Sequence, residues 1–476
     1  MKADWIESAQ MTEAPDWRPL YHFSPARVLC RIGQHWPRLG ELAGEMVDGW
    51  RVSTNPASKT YDSRVETAPI YRLRHIGNML LHTEAEHWQT PEVTEESYCV
   101  QPNDIVVRKV GKVSAALVSD LHRRHPIDAN LAIIRGLSST QALWVTYCLN
   151  QPLYRSFLET RDSVSSLIRV GIKQLVEMPI ERKPSIFDEV ANKYLKAQAS
   201  HSQSQDHLFS LRTEVEDWLD NLMPEHVSFL HKDLEERRCA WFTPDDLQDV
   251  LNITSTEQSH FAHSLIEEGG GISIEEVAQI NPRHPRVQHE ERCKVLRLSD
   301  LDDHLGIAKD LIKREDMSWR TQKRQLHQND ILISSFVSEG KIAFITDEVP
   351  DCILPTEQLI TLCFHRYHGA YALLMESSVV QSQWQRLASG STQRFVQSNA
   401  IKQLVLPVLE NNQAKSWHER LIDVLDKRKK AEQDLNKCQD EMYRIYRSVH
   451  PVDVEEFESE EGKNNPKQQE AKWQTH

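Results

Sequence analysis

The stretch QPNDIVVRKVG, residues 101–111, has a near copy in HQNDILISSFVSEGK, residues 327–341. In both, a polar turn that ends in Asn-Asp leads into an apolar, β-branched run, which is followed by a glycine and a lysine. A short apolar run that begins at a turn is typical of a buried strand. The same buried strand is therefore predicted once in each half of the chain.

Other sequence landmarks recur around this phrase in the same order. WPRLGELAGE (36–45) resembles GISIEEVAQI (271–280), APIYRLRHIG (68–77) resembles RCKVLRLSDLDD (292–303), and IKQLVEMPI (172–180) returns as IKQLVLPVL (401–409). The offset between the copies is nearly constant, from Arg72 and Arg297 to Ile172 and Ile401. Several landmarks in one order at one spacing indicate a tandem duplication.

Each half is predicted to be a mixed α/β module. ALVSD (116–120) and IAFITDE (342–348) are predicted as the second strand of a hairpin, because each is a short apolar run after a glycine-containing turn. The segments 142–159 and 368–388 have the apolar spacing of helices. The predicted fold class is therefore α/β, with two mixed α+β modules in tandem.

A long helix is predicted after each module. Residues 414–449 contain neither glycine nor proline, and apolar residues alternate at spacings of three and four, which is typical of a heptad stripe. The helix-pairing residues are predicted to be Phe187, Val190, Tyr194, Leu208, Leu211 and Val215 in the first helix, and Leu421, Val424, Leu435, Met442 and Ile445 in the second. The two helices can pair as an antiparallel coiled coil, or each can cover its own module.

The predicted organisation is thus module, helix, module, helix. The boundaries are an N-terminal segment 1–20, a first module 21–183, a first spacer helix 184–224, a second module 225–411, a second spacer helix 412–449 and an acidic tail 450–476, which is expected to be disordered.

This organisation resembles that of the DNA specificity subunit of type I restriction–modification systems, or of a closely related subunit of a methylation-linked phage-defence system. In that family two target-recognition domains alternate with two long helices. Its repeated phrases are similar to NDIVVRKVGK and NDILISSFVSEGK, and to the Gly-Ser turn and strand of SGSTQRFVQSNAIKQLVLPVL (389–409). The first copy of the second phrase, DSVSSLIRVGIKQLVEMPI (162–180), lacks the Gly-Ser pair.

The resemblance implies a non-catalytic subunit that recognises a bipartite sequence in double-stranded DNA, one half per module. It also implies docking of adenine methyltransferase subunits, expected in two copies, and in restriction systems of an ATP-dependent restriction subunit. No cofactor is expected in this chain, because S-adenosylmethionine would be bound by the methyltransferase.

Arginine and lysine side chains are the expected contacts to DNA phosphates, and a few of them would also contact base edges. The candidate DNA-binding residues are Arg51, Lys59, Arg64, Arg108, Lys109, Lys112, Arg123 and Arg124 in the first module, and Arg283, Arg286, Lys313, Arg314, Arg320, Lys323, Arg324 and Lys341 in the second. The alternative for each is a solvated surface charge or a local ion pair.

Composition limits the other function classes. The net charge of −14 argues against nonspecific coating of nucleic acid. No apolar run is long enough to span a membrane, no secretory signal is recognised, and eight scattered cysteines suit reduced thiols, so a cytoplasmic protein is expected. The motifs of amino-methyltransferases and phosphate-binding loops are absent from the sequence, and no zinc-ligand spacing occurs.

Two alternatives to DNA recognition stay open. A coiled-coil adaptor that binds only protein would suit the negative charge and the long helices. A nuclease or modification enzyme would require metal-dependent or S-adenosylmethionine-dependent turnover by the chain alone.

Overall fold

A computed structural model of the chain describes residues 29–30, 32–50, 67–77, 79–82, 85–89, 96–160, 169–222, 270–282, 294–301, 305–306, 325–337, 340–349, 353–389 and 394–449. The chain divides into two compact units: the first combines Met1–Gln203 with Lys429–His476, and the second is Ser204–Arg428. The predicted N-terminal segment and the acidic tail lie outside the described residues.

The first unit contains a six-stranded sheet among its described residues, in the order β1-β8-β6-β7-β4-β3. Its elements are α1 (Leu39–Leu42), β1 (Glu45–Asp48), β2 (Thr67–Ile70), β3 (Ile76–Gly77), β4 (Leu80–Leu81), β5 (Glu86–Gln89), β6 (Ile105–Arg108), β7 (Ser114–Leu117), β8 (Leu131–Arg135), α2 (Ser139–Leu149), α3 (Pro152–Thr160), α4 (Ile172–Val176), and parts of α5 (Phe187–Leu222) and α9 (Asn411–Val449).

The second unit contains a four-stranded sheet, in the order β10-β15-β12-β13. Besides the remaining parts of α5 and α9, its elements are β9 (Gly271–Ser273), α6 (Ile274–Val277), β10 (Ala278–Ile280), β11 (Lys294–Leu296), β12 (Ile331–Ser334), β13 (Ile342–Phe344), β14 (Ile353–Pro355), β15 (Leu359–Phe364), α7 (His368–Glu376), α8 (Ser378–Leu387) and β16 (Val405–Pro407).

The central strands of the two units have the same order and register. The strands β1-β8-β6-β7 correspond to β10-β15-β12-β13, and every neighbouring pair is antiparallel. Ile105 pairs with Ile134 of β8, and Ile331, its equivalent, pairs with Leu362 of β15. The predicted duplication is therefore present in the backbone, and the fold class is the predicted one.

The phrase quoted first has the same local structure in both copies. Asn103 and Asn329 have positive φ angles of 66° and 71°, a conformation that asparagine tolerates better than most residues. The carboxylates of Asp104 and Asp330 each accept a hydrogen bond from the backbone N–H three residues earlier, at 2.7 and 2.8 Å. The Asn-Asp pair recurs because it closes the turn that begins β6 and β12.

Both sheets are buried on their two faces, which explains the continuous apolar runs in β6 and β12. In β6, Ile105 and Val107 belong to the cluster that includes the helices, whereas Val106 belongs to a second cluster on the opposite face. In β12, Ile331 and Leu332 are divided between two clusters in the same way.

The paired helices contribute to both cores. In the first unit the early part of α5 packs on the late part of α9, in a cluster that contains Phe187, Val190, Tyr194, Leu435 and Met442, with Ile445 partly buried beside it. In the second unit the late part of α5 packs on the early part of α9, in a cluster that contains Leu208, Leu211, Val215, Leu421 and Val424. The helices therefore pair antiparallel, and each also covers a sheet.

Some predicted elements differ in detail. Each predicted helical segment after the sheet forms two helices, α2 and α3 in the first unit and α7 and α8 in the second. The second hairpin strand of the first module, β7, begins two residues before the predicted segment. None of the helices within the described ranges combines the length and hydropathy needed to cross a lipid bilayer.

Candidate nucleic-acid interface

Most of the predicted DNA contacts lie outside the described residues: Arg51, Lys59, Arg64, Arg283, Arg286, Lys313, Arg314, Arg320, Lys323 and Arg324. The structure places the remaining six, namely Arg108, Lys109, Lys112, Arg123, Arg124 and Lys341. Five of these belong to the first module and form two groups.

The first group surrounds the hairpin turn between β6 and β7. Arg108 donates from Nε to the carbonyl oxygen of Val110 at 3.0 Å, which shapes the start of the turn. Gly111 has a φ angle of +73°, a conformation that glycine adopts without a steric cost. Lys112 follows it and is exposed. The turn therefore brings two cationic side chains to one end of the sheet.

Lys109 lies between these residues but is buried. Its ammonium group forms an ion pair with the carboxylate of Asp48 on β1, and its backbone N–H donates to the carbonyl oxygen of Asn130 at 2.9 Å. The side chain of Lys109 is only 10% exposed. Lys109 thus joins β1 to the hairpin in this structure, and its contact with DNA stays a prediction.

The second group, Arg123 and Arg124, is exposed in the loop that follows β7. The neighbouring His122 fixes this loop, because its Nδ1 accepts the backbone N–H of Ser119 at 3.0 Å and its Nε2 lies 2.8 Å from the carbonyl oxygen of Leu81. A neutral ring whose Nδ1 accepts a hydrogen bond carries its proton on Nε2, so Nε2 donates to the carbonyl oxygen of Leu81. Burial lowers the pKa of His122, which favours this neutral ring.

The two groups are not brought together. The hairpin turn precedes β7 and the arginine loop follows it, so the strand separates them by roughly 10 Å at a rise of about 3.3 Å per residue. The arginine loop lies instead at the end of the sheet where the Asn103–Asp104 turn begins β6, because Asn103 donates to the carbonyl oxygen of Val118 at 3.1 Å.

A buried ion pair at this end of the sheet is missing from the sequence-based prediction. Arg135 donates from Nε and Nη2 to the Asp104 carboxylate at 3.0 and 2.8 Å, and from Nη2 to the carbonyl oxygen of Cys99 at 2.8 Å. Burial raises the pKa of Asp104, while the hydrogen bond and charge of Arg135 oppose that shift. The aspartate of the repeated phrase is visible in the sequence, but its partner Arg135 is 31 residues away and no local pattern connects the two.

The second module has a different partner at the equivalent position. Cys363 on β15 occupies the place of Arg135, and its Sγ donates to the Asp330 carboxylate at 2.8 Å. Lys341, the one predicted contact of this module that can be placed, is half-buried and donates from Nζ to the carbonyl oxygen of Leu301 at 3.0 Å. The backbone frame is thus shared, while the polar side chains on it differ.

No group of three histidine, cysteine or acidic side chains with the geometry of a metal site occurs within the described part of the chain. Three described histidines of the first module, His75, His122 and His125, instead surround Tyr71, whose ring centroid lies 5.9 Å from that of His75 and 6.0 Å from that of His125.

No protein-family model and no curated protein matches the chain. Among solved structures, it is similar to the S subunit of a type I restriction–modification system from M. genitalium, with 11% identity, a TM-score of 0.37, and coverage of 85% of this chain and 93% of that one. It is also similar to the HsdS subunit from Thermoanaerobacter tengcongensis, with 13% identity, a TM-score of 0.23, and coverage of 87% and 95%. A third structure, concerned with complex assembly and conformational transition of the type I R-M system, has 12% identity, a TM-score of 0.24, and coverage of 87% and 96%.

Proposed function

We propose that the chain is the DNA specificity subunit of a type I restriction–modification system or of a related methylation-linked defence system. It recognises a bipartite target in double-stranded DNA, one half-site per module, and is itself non-catalytic. The observation that carries this proposal is the duplicated backbone: the two modules share one strand order and the same Asn-Asp turn, which an aspartate carboxylate closes in both. Two copies of one module in a single chain suit a target that has two separate halves.

The differences between the modules support recognition of two different half-sites. The backbone hydrogen bonds of the Asn-Asp turn are retained, whereas Arg135 and Cys363 differ in charge and size. A frame that is kept while its polar side chains diverge is what two unlike base sequences would require. The proposed target is therefore asymmetric.

The paired helices supply the proposed spacing. At 36 residues, α5 has a length on the order of 54 Å at a rise of about 1.5 Å per residue. Half-sites held at a fixed separation would have centres more than one helical turn of DNA apart, with an unread spacer between them. The same helices are the proposed docking sites for adenine methyltransferase subunits, which would bind S-adenosylmethionine, and a restriction subunit could join that complex.

The test is co-expression of the chain with its host's neighbouring adenine methyltransferase, followed by mapping of methylated adenines across the genome. The expected result is one bipartite, asymmetric motif with a gap of constant length. Insertion of one base pair into that gap rotates one half-site by roughly a tenth of a turn, so methylation of the altered site should fall sharply.

Two results would contradict the proposal. Methylation that tolerates gaps of any length would refute the fixed spacing, and methylation without any motif that depends on this chain would refute sequence recognition. In the second case a protein-binding adaptor would be the better description. Turnover by the isolated chain would refute the non-catalytic role.

A further inference from the structure

We propose that three exposed arginines of the first module, Arg74, Arg123 and Arg124, form one surface that binds the phosphate backbone of double-stranded DNA. We call these residues the arginine surface. The inference deepens the proposed function, on which it rests, by naming residues of the first module that supply affinity for the DNA backbone.

Tyr71 connects the two segments that carry the arginine surface. The tyrosine follows β2 and is fully buried, and the short helical turn Leu73–His75 comes directly after it. Its hydroxyl donates to the carbonyl oxygen of Arg123 at 3.5 Å, which joins that turn to the loop after β7. Arg74 and the arginine loop therefore lie at the same end of the sheet, although they are distant in sequence.

The charges of the three arginines act on buried or half-buried groups of this same region. The pKa of His75 is lowered to about 4 by burial and then by the charge of Arg74. The charge of Arg123 lowers the pKa of Tyr71 against the larger effect of burial, and that of Arg124 acts on Cys99 in the same direction.

The arginine loop is also held in place before any ligand binds. The Oγ of Ser119 lies within hydrogen-bond distance of the Oγ of Ser202 on α5, at 3.0 Å, and of Nδ1 of His122, at 2.8 Å. Gln198 on the same helix donates to the carbonyl oxygen of Leu117 at 2.8 Å. A loop fixed by buried hydrogen bonds loses little conformational entropy on binding, so the cost of association is low.

Among the described residues, the acidic side chains nearby are of two kinds. Asp104 and Asp128 are buried and lie within ion-pair distance of other arginines, Arg135 and Arg72, at 2.8 and 3.5 Å. Asp120 is exposed in the arginine loop itself, and Glu96 is exposed close to Cys99. The exposed acids oppose an anionic ligand, so their removal gives a test with the opposite sign.

The sequence of the second module differs in charge along the segment that corresponds to the arginine loop. The N–H of Val100 donates to the carbonyl oxygen of His125 at 3.1 Å, and the equivalent N–H of Leu326 donates to the carbonyl oxygen of Ile353 at 3.0 Å, so His125 and Ile353 hold equivalent positions. In place of SDLHRR (119–124), the second module has TDEVPDC (346–352), with three acids and neither arginine nor lysine. Ser299 stands at the position of Arg74.

The partner that fits is a polyanion with regularly spaced charges. Guanidinium groups bind phosphate oxygens through paired N–H donors, and duplex DNA presents one phosphate about every 1.7 Å of helix axis. Contacts of this kind position a protein on DNA without carrying sequence information. The arginine surface therefore contributes affinity, while other loops would determine the bases.

The experiment measures binding of the full chain to a duplex of arbitrary sequence, about 30 base pairs long, by fluorescence anisotropy between about 50 and about 200 mM salt. The triple variant Arg74→Gln, Arg123→Gln and Arg124→Gln should flatten the slope of log Kd against log salt by about 2 to 3, because each lost phosphate contact removes about 0.9. The corresponding three arginine-to-lysine substitutions should retain the slope.

The matched control removes three positive charges elsewhere. Lys415→Gln, Lys427→Gln and Lys437→Gln change exposed lysines of α9, whose side chains are 63%, 58% and 72% exposed, and should leave the slope unchanged. Asp120→Asn should tighten binding by a few-fold, since it removes a charge that repels phosphate.

Three outcomes would overturn the inference. The first is a wild-type chain that binds the duplex with a slope that the glutamine variant does not change. The second is an equal loss of slope when Lys415, Lys427 and Lys437 are replaced with glutamine, which would show an effect of net charge alone. The third is no binding of the duplex even at the lowest salt. The genome-wide methylation map decides the proposed function independently, so failure of the arginine surface and failure of sequence recognition are distinguishable.

Discussion

Replacing Arg135 with cysteine would give the first module the side chain that the second module has at the equivalent position. In the native chain the guanidinium donates to both carboxylate oxygens of Asp104, and the Asp104 side chain is only 2% exposed. The Arg135→Cys substitution would leave that carboxylate with the backbone N–H of Gln101 and one thiol.

The expected loss of stability follows from these contacts. Removing one partner of a buried ion pair costs about 3 to 5 kcal/mol, because the other charge stays buried. A thiol placed like that of Cys363, whose Sγ lies 2.8 Å from the Asp330 carboxylate, would form one hydrogen bond and recover about 1 kcal/mol of the lost stability. We expect a net loss of about 3 kcal/mol at neutral pH. Adding Asp104→Asn should recover part of it, since the amide has no charge to desolvate.

The loss should also depend on pH. Burial already raises the pKa of Asp104 above its ordinary value of 3.8, and removal of Arg135 raises it further. A carboxyl group whose folded pKa is raised is stabilising only while it is protonated, so stability is lost as pH rises through the folded pKa. The destabilisation should therefore be small under acidic conditions and complete at neutral pH.

Native-state amide hydrogen exchange separates the two modules within one sample. A loss of about 3 kcal/mol should accelerate exchange in β6 about a hundredfold. Exchange in β12, whose turn is closed by Asp330, should not change and is the internal control. Protection in β6 that changes by less than about threefold, or equal changes in β6 and β12, would refute the reasoning.

Three further predictions concern the stability of the first unit. Gly49→Ala should lower the melting temperature strongly, because its Cβ would lie 1.9 Å from a backbone carbonyl oxygen, whereas Gly77→Ala, with no atom within 4 Å, should change it little. Because the folded pKa of His75 is about 4, below its ordinary 6.5, stability should fall by up to about 3 kcal/mol as pH falls through that window, and His75→Asn should remove this slope in a pH series of denaturant titrations. Met442→Ala removes a fully buried side chain and should cost about 2 to 5 kcal/mol in the same titrations, more than Ile445→Ala at a partly buried position.

The duplication and the long helices are predictable from sequence because both are periodic features. The Asn-Asp phrase marks a turn that needs a positive φ angle, and the apolar stripe of α5 and α9 has the spacing of paired helices. These features depend on residues close together in the chain. They can be predicted because few alternative structures satisfy the same local pattern.

Helix boundaries within the modules are less predictable. Asn150 ends α2, and its side chain then donates to the carbonyl oxygen of Ala115 on β7 at 2.8 Å, a tertiary contact that no local spacing reveals. In the second module Ser377 separates α7 from α8, with an Oγ that accepts the N–H of Val380 at 3.4 Å. Proline at position 152 was the visible signal for the first break.

Candidate contacts are the least predictable level. Lys109 and Lys112 are three residues apart in one turn, yet the first is buried against Asp48 and the second is exposed. Sequence shows that a charge is present but not which way a side chain leaves the turn. Arg74 was overlooked for the converse reason, because its neighbours in space come from a distant loop.

The discontinuity of the first unit has a consequence for biosynthesis. Its core includes Met442 and Tyr446, which are translated more than three hundred residues after β8, the last strand of the sheet in the same core. At about 5 to 20 residues per second this is a delay of roughly 15 to 60 s, during which that core is incomplete. The second unit is continuous and can complete its core first. Slow or interrupted translation should therefore expose the first unit, rather than the second, to chaperones and proteases.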